Sequence, residues 1–320
     1  MSAVITPFEG TELFNTASFN NRISQINTGF SYISNPNLLD NWYFGNPVNQ
    51  RGQTSYTDAG YGIDRWFMTS GALKIQNGII ELSGSSNGGA FEQKIENPKR
   101  FAGKTVTLSV LGKRSKSSWY IAVRQDGVYR DINMLITNSF ACASVTFVAD
   151  STLSNELVIN FACWDESDVA EIKAIKLELG SQQTLAHQDA DGNWVLNEIP
   201  DYGEQLRRCQ RYFWRLHSVA RNNFAIFAYG MKQSDNQVRF VINFPATFRV
   251  SPVITANGKF LVSTGTEDYA VDSIDRQSFN GESIVLAPKS STISALPNGI
   301  VMRFGAFNDS DAYIDFSADL

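Results

Sequence analysis

The sequence predicts a mainly β chain: two antiparallel β-sandwich, jelly-roll-like domains joined by a linker and a short helix, with a further short helix near the N-terminus. Three observations carry this. Short runs of alternating apolar and polar residues recur through most of the chain. Turn residues separate them, at 83–89, at Asn97-Pro98 and at Asp126-Gly127. Aromatics make up 12% of the residues, with 22 Phe and 11 Tyr, and these favour strands over helices. A chain of 320 residues gives each of two domains enough length for its own core. No short-period repeat suggests a solenoid or propeller.

Taken in order, residues 1–36 form a first segment. Ser18 offers an N-cap, and Phe19, Ile23, Ile26, Phe30 and Ile33 follow one another at spacings of four, three, four and three, one apolar seam on a helix. The seam is only about two heptads long and contains Gly29, so it needs a partner surface. A helix lying on its own domain and a self-associating stalk or anchor both satisfy that need. Asn35-Pro36 then stops the helix, and residues 37–181 read as the first sandwich, with strand-like runs at 105–111, 118–125, 143–149 and 157–164. Its last strand alternates Ile175, Leu177 and Leu179 against Lys176 and Glu178, a half-buried pattern ending at Gly180-Ser181.

Residues 182–203 read as a linker carrying a hairpin, 185–187 against 194–196, around Asp189–Asn193. Residues 204–320 open with a helix over Glu204–Tyr212 whose Leu206, Cys209 and Phe213 share one face. A second sandwich follows, with runs at 224–231, 237–244, 253–256, 259–263, 283–286, 300–307 and 312–316.

Composition narrows the function. A 43% hydrophobic, 18% charged chain is an ordered globular protein. Its net charge of −5 gives no footprint for nucleic acid and discourages adhesion to anionic membranes. No apolar run approaches the ~18 residues of a membrane span, and the N-terminus lacks a signal peptide's basic start and apolar core, so synthesis in a cytoplasm is expected. Cys142, Cys163 and Cys209 are odd in number and widely spaced, which fits buried thiols better than disulfides or a zinc site.

The enzyme templates fit poorly. Pro98 stands where a phosphate loop ending in Gly103-Lys104 needs glycine, and Arg65 stands where Gly60-Tyr61-Gly62 would need the third glycine of a dinucleotide fingerprint. In Asp189–Asn193, Gly192 comes too early for a calcium loop. Only His187 and His217 are available for a triad or a metal. Neither a metal nor a cofactor is expected; two-carboxylate glycoside hydrolysis stays open, because Asp and Glu are plentiful.

Alternation sorts the faces of the strands. Trp119, Ile121 and Val123 point inward and Tyr120, Ala122 and Arg124 outward; Leu157, Ile159, Phe161 and Cys163 point inward and Val158, Asn160, Ala162 and Trp164 outward. Val106, Leu108 and Val110 point inward, Thr107 and Ser109 outward. If these three strands share a sheet, one outer face carries Tyr120, Arg124, Asn160 and Trp164 among small Thr107 and Ser109. Aromatic rings can stack on the C–H face of a pyranose while Arg and Asn bond its hydroxyls, so glycan is the expected ligand. Cover by a loop or a neighbouring subunit is the competing reading. Asn49–Gly52 and Ile63–Trp66 read as fold-holding, with Arg51 or Arg65 paired to Asp64 and Trp66 in the core.

Several runs also resemble bacteriophage and prophage tail-fibre proteins. Lys176–Ser181, Tyr202-Gly203-Glu204 and Cys209–Phe213 look like a domain boundary of that family. Asn37–Asn41, Asn49–Gly52 and Ile63–Trp66 are similar to the opening of its sugar-binding-like jelly roll. Phe244-Pro245, Arg249, Pro252–Thr255 and Phe316–Leu320 resemble its C-terminal domain. The resemblance touches most of the chain from Asn37 onward. It implies a virion appendage, a head or tail fibre, that is homotrimeric, contacts other virion proteins, attaches to host-surface glycan and has no catalytic residues. A purely structural virion decoration or connector is the alternative.

Overall fold

The structure, a computed structural model, describes residues 34–86, 89–116, 120–132, 137–163, 165–218 and 224–320, with only the backbone of 130–132. The expected helix seam of Phe19, Ile23, Ile26, Phe30 and Ile33 lies outside the described residues, as do Trp119 and Trp164. The chain divides into two compact units, 1–47 with 53–202 and 48–52 with 203–320. Both are antiparallel β structures, as the alternation predicts.

The first unit holds β1 (Ser55–Tyr56), β2 (Gly60–Tyr61), β3 (Phe67–Met68), β4 (Ala72–Gln76), β5 (Ile79–Ser83), β6 (Gly89–Lys94) and β7 (Thr105–Arg114). It continues with β8 (Tyr120–Gln125), β9 (Val128–Ile132), β10 (Ala141–Val148), β11 (Leu157–Cys163), β12 (Val169–Leu179), β13 (Ala186–Gln188) and β14 (Trp194–Leu196). Two six-stranded sheets, β1-β4-β5-β12-β7-β10 and β2-β3-β6-β11-β8-β9, enclose one core; β13 and β14 form a separate hairpin. Tight turns set the registers. Asn77 and Gly78 (φ 51° and 73°) and Asp126 and Gly127 (φ 46° and 83°) occupy the left-handed conformation that two-residue hairpins require.

Inward positions are those the alternation assigns. Val106, Leu108, Val110, Ile121, Val123, Leu157, Ile159, Phe161 and Cys163 are buried in the core cluster. Trp66 is fully buried there too, stacked on Phe91 with ring centroids 4.6 Å apart. Close to it in sequence, Arg65 Nε bonds Asp40 at 3.0 Å, and Arg51 Nη2 bonds Asp319 at 2.7 Å, partners the sequence does not suggest.

The half-buried reading of β12 is overturned. Lys176 and Glu178 are both fully buried, because the chain that follows the strand returns over that face. Glu178 accepts Thr184 N at 2.7 Å and the Thr184 hydroxyl. Lys176 Nζ donates to Ser34 Oγ and Thr184 O and pairs with Glu198 at 3.7 Å. Burial pulls the lysine below its ordinary value, against the opposing pull of Glu178 and Glu198. Leu179, expected inward, is half exposed. Asp189–Asn193 is the turn of the expected hairpin, with Asp189 Oδ1 accepting the amides of Asp191 and Asn193. The three cysteines are free thiols, Cys163 and Cys209 buried and Cys142 half-buried, where burial and then Glu178 push its thiol up to about 12.

The second unit holds α1 (Tyr202–Cys209), then β15 (Phe213–His217), β16 (Phe224–Ser234), β17 (Gln237–Asn243), β18 (Val253–Asn257) and β19 (Phe260–Ser263). It ends with β20 (Asp268–Ala270), β21 (Ser273–Phe279), β22 (Ser283–Lys289), β23 (Val301–Phe307) and β24 (Tyr313–Ser317). A three-stranded sheet, β15-β24-β18, and a seven-stranded one, β20-β19-β23-β16-β17-β22-β21, share a core rich in Phe. The helix is shorter than predicted because Phe213 already pairs with Ser317 in β15. Gln50 Nε2 donates to Phe213 O at 2.7 Å and the Arg51 guanidinium lies 3.7 Å over the Phe213 ring, which explains why 48–52 groups with this unit.

In the first unit the Asn37 side chain bonds three buried backbone groups. Its Nδ2 donates to Ile175 O at 2.8 Å, and its Oδ1 accepts Leu39 N at 3.0 Å and Leu177 N at 3.1 Å, all buried. Asn37→Ala strands three backbone groups and should lower the unit's unfolding free energy by roughly 3 kcal/mol. Urea titration followed by tryptophan fluorescence reads this; a loss below about 0.5 kcal/mol, the scale of an ordinary surface change, contradicts it.

Candidate functional site

The candidate site is the outer face of the sheet β2-β3-β6-β11-β8-β9. Its registers fix which side chains are neighbours. Across β11 and β8, Ala162 faces Tyr120, Asn160 faces Ala122 and Val158 faces Arg124. Across β11 and β6, Asn160 faces Glu92 and Val158 faces Lys94. Phe67 on β3 faces Glu92, Tyr61 on β2 faces Phe67, and Tyr129 on β9 faces Arg124. Tyr120, Arg124 and Asn160 are therefore brought together on one face. The full width is five interstrand gaps, roughly 24 Å at the usual strand spacing.

Thr107 and Ser109 do not join them. They lie on β7 in the opposite sheet, where they face Glu178 and Lys176 across β12. Both are buried; Thr107 Oγ1 meets Thr146 Oγ1 at 2.9 Å and donates to Gly180 O at 2.8 Å. The expectation that the three strands share a sheet fails, because equal alternation is compatible with either layer of a sandwich.

Aromatic side chains rim the face at both ends. Tyr61 and Phe67 pack edge to face at 5.2 Å and are half-buried. At the other end Tyr120 is half-buried and Tyr129 is 55% exposed. Between them runs a polar lattice. Asn160 Nδ2 donates to Glu92 Oε2 at 3.0 Å. Arg124 grips Glu156 through two bonds of 3.0 Å, donates to Tyr129 Oη at 2.9 Å and lies 3.8 Å from Glu92. Lys94 Nζ stands 3.9 Å from Glu156.

This changes Arg124's role. Its Nε, Nη1 and Nη2 are all engaged by Glu156 and Tyr129, so it orients the tyrosine ring and the carboxylates rather than offering a free fork to a ligand. Asn160 is nearly buried, and Ala122 and Val158 are fully so. What remains most accessible is the aromatic rim, above all Tyr129, with Lys94 beside it. Sequence reasoning missed Tyr61, Phe67, Glu92, Lys94 and Tyr129. The alternation of Ala90, Glu92 and Lys94 against Phe91, Gln93 and Ile95 could have revealed β6, and the Asp126-Gly127 turn implies a returning strand carrying Tyr129.

No protein-family model matches the chain, and no curated protein sequence matches it. Among solved structures it is similar to the enzymatically active domain of tailspike protein 4 of bacteriophage CBA120, at 12% identity and TM-score 0.30, over 45% of this chain and 21% of that one. The match thus spans about a fifth of that tailspike chain. A CBM4 structure aligns over 44% of this chain and 99% of its own, at 15% identity and TM-score 0.31. The CBM22-1–CBM22-2 tandem of Paenibacillus barcinonensis Xyn10C aligns over 89% and 96%, at 9% identity and TM-score 0.29.

The ion lattice sets a pH dependence. Arg124 holds the Glu156 carboxyl below its ordinary value, mainly by hydrogen bonding, and Glu156 in turn raises the guanidinium. A depressed carboxyl contributes stability that is complete above its unfolded value and lost as pH falls through the folded one. Glu156→Gln should therefore be less stable than the parent at pH 7 by about 1 kcal/mol, with the gap closing below about pH 4. Melting curves of both proteins between pH 3 and pH 7 read this; a gap independent of pH contradicts it.

Proposed function

We propose that this chain is a non-enzymatic subunit of a phage virion appendage, made in the host cytoplasm and attaching to host-surface glycan through a sheet face of its first unit. The observation that carries the reading is the rim of Tyr61, Phe67, Tyr120 and Tyr129 around the Asn160–Glu92 and Arg124–Glu156 lattice. Rings present flat apolar surface at small entropic cost, and an ordered set of charged neighbours beside them suits hydroxyl recognition. The appendage assignment, the homotrimer and the contacts with other virion proteins rest on the resemblance of the boundary and terminal motifs to tail-fibre proteins. Several linked copies would raise weak single-site binding through avidity.

Two carboxylates, Glu92 and Glu156, approach one another through Arg124, so hydrolysis deserves a direct answer. A glycosidase acid needs its proton held above the usual range. Glu156 is shifted the opposite way by Arg124. That removes Glu156 as the acid, and Arg124 lies against both carboxylates, 3.8 Å from Glu92 and 3.0 Å from Glu156, so binding without cleavage is the better fit.

A purely structural virion role is the second reading. It is favoured by one observation, that the lattice satisfies Arg124 and Asn160 from within the sheet.

The two readings diverge in a binding assay. On a microarray of bacterial capsular and lipopolysaccharide glycans, the chain should bind a defined subset. Tyr120→Ala combined with Tyr129→Ala should weaken that binding at least about tenfold, the scale of losing two stacked rings. Binding unchanged by the double substitution removes this face from the account. No array signal at all favours the structural role, and reducing ends released from a bound glycan make the chain an enzyme.

A further inference from the structure

The outer face of the seven-stranded sheet in the second unit is built differently. Tyr229 on β16 faces Arg303 on β23, and Met231 faces Arg239 on β17 and Val301 on β23. Continuing the β16–β17 register sets Val241 opposite Tyr229. Tyr229 is 66% exposed, Val301 61%, Val241 54% and Met231 48%. Large apolar side chains at such exposure on adjoining strands make one contiguous patch, and a patch of this kind marks a binding surface.

Its charge is the decisive property. Among the described residues the Arg239 side chain has no hydrogen bond or ion pair. Arg303 donates Nε to Ser263 Oγ at 3.1 Å and lies 4.8 Å over the Phe224 ring, leaving its two terminal nitrogens unbonded among the described residues. Asp275, on the edge strand β21, is taken by Lys289 at 2.6 Å. In a chain of net charge −5, two guanidiniums thus flank an exposed tyrosine, and among the described residues neither forms an ion pair; Asp268 stands two strands from Arg303, beyond Ser263. A two-fold contact with a second copy is a poor fit, since it would set each patch against itself and crowd four guanidiniums. Neutral sugar would leave them unpaired. A carboxylate matches the guanidinium fork, while Tyr229 offers a platform for the ring that carries it.

We propose that this face binds an acidic polysaccharide, with Tyr229 stacking on a uronate ring and Arg239 and Arg303 pairing with its carboxylates. The site is independent of the glycan face on the first unit. The test is titration calorimetry of the full chain with alginate and polygalacturonate oligomers, and with dextran as the neutral probe. Either uronate should bind where dextran does not, and raising NaCl from about 0.05 to about 0.5 M should weaken it severalfold by screening. Arg239→Gln, which breaks no contact in the fold, and Tyr229→Ala should each cost about tenfold. Tyr120→Ala with Tyr129→Ala should leave uronate binding intact, so failure of one site is told apart from failure of the other. The proposal is overturned if neither uronate binds, if dextran binds equally, or if Arg239→Gln and Tyr229→Ala bind as the parent does. It is also overturned if sedimentation shows a self-association that Tyr229→Ala abolishes and uronate does not disturb.

Discussion

The first unit depends on one buried segment, Asn37–Phe44, that is bonded to both of its sheets. Toward β12 it gives Leu38 N to Leu177 O, Phe44 N to Lys173 O and the side-chain bonds of Asn37, while Trp42 O accepts Ile175 N. Toward the other sheet, Asp40 N and O exchange bonds with the Gln93 amide at 2.8 Å each, and Arg65 joins Asp40 to Lys94 O. Asn41 Nδ2 donates to Asp64 O and Trp66 Nε1 to Asn41 O. The chain accepts strain here: Asn41 and Arg65 both have left-handed backbones, at φ 51° and 72°, a cost on the order of 1–2 kcal/mol for a residue like Arg65. The Asp40–Arg65 pair, at 3.0 Å with both side chains largely buried, adds to this hold.

That segment connects fold to site. Gln93, which it holds directly, and Lys94, which it reaches through Arg65, are on β6, and Glu92 beside them bonds Asn160 on β11. The strand carrying the inner anchor is thus the strand that sets the outer lattice. Rigid placement matters for a face that recognises by stacking, since rings already fixed lose little freedom on binding.

Much of this was legible in the alternation. It gave the inward set Ile121, Val123, Ile159 and Phe161, the hairpin around Asp189–Asn193, and Tyr120, Arg124 and Asn160 as companions. Three things were hidden for physical reasons. Period-two patterning states which way a side chain points but not which layer its strand joins, so Thr107 and Ser109 were grouped with the wrong sheet. Polar residues read as solvated, yet Lys176 and Glu178 are buried because later chain folds over them. Strands of two residues, β1 to β3, have no periodicity to detect, which concealed Tyr61 and Phe67. The pairing of Arg51 with Asp319 joins residues 268 positions apart, a distance no local pattern spans.

The central claim is that recognition belongs to an aromatic rim on one sheet of the first unit. Amide NMR of the isotopically labelled full chain, titrated with the strongest-binding glycan from the array, tests it residue by residue. The account predicts shifts at Tyr120, Tyr129 and Glu92, with Thr107 and Ser109 on the opposite sheet silent. Shifts confined to the sheet that carries Thr107 and Ser109, or absent from the first unit altogether, contradict it.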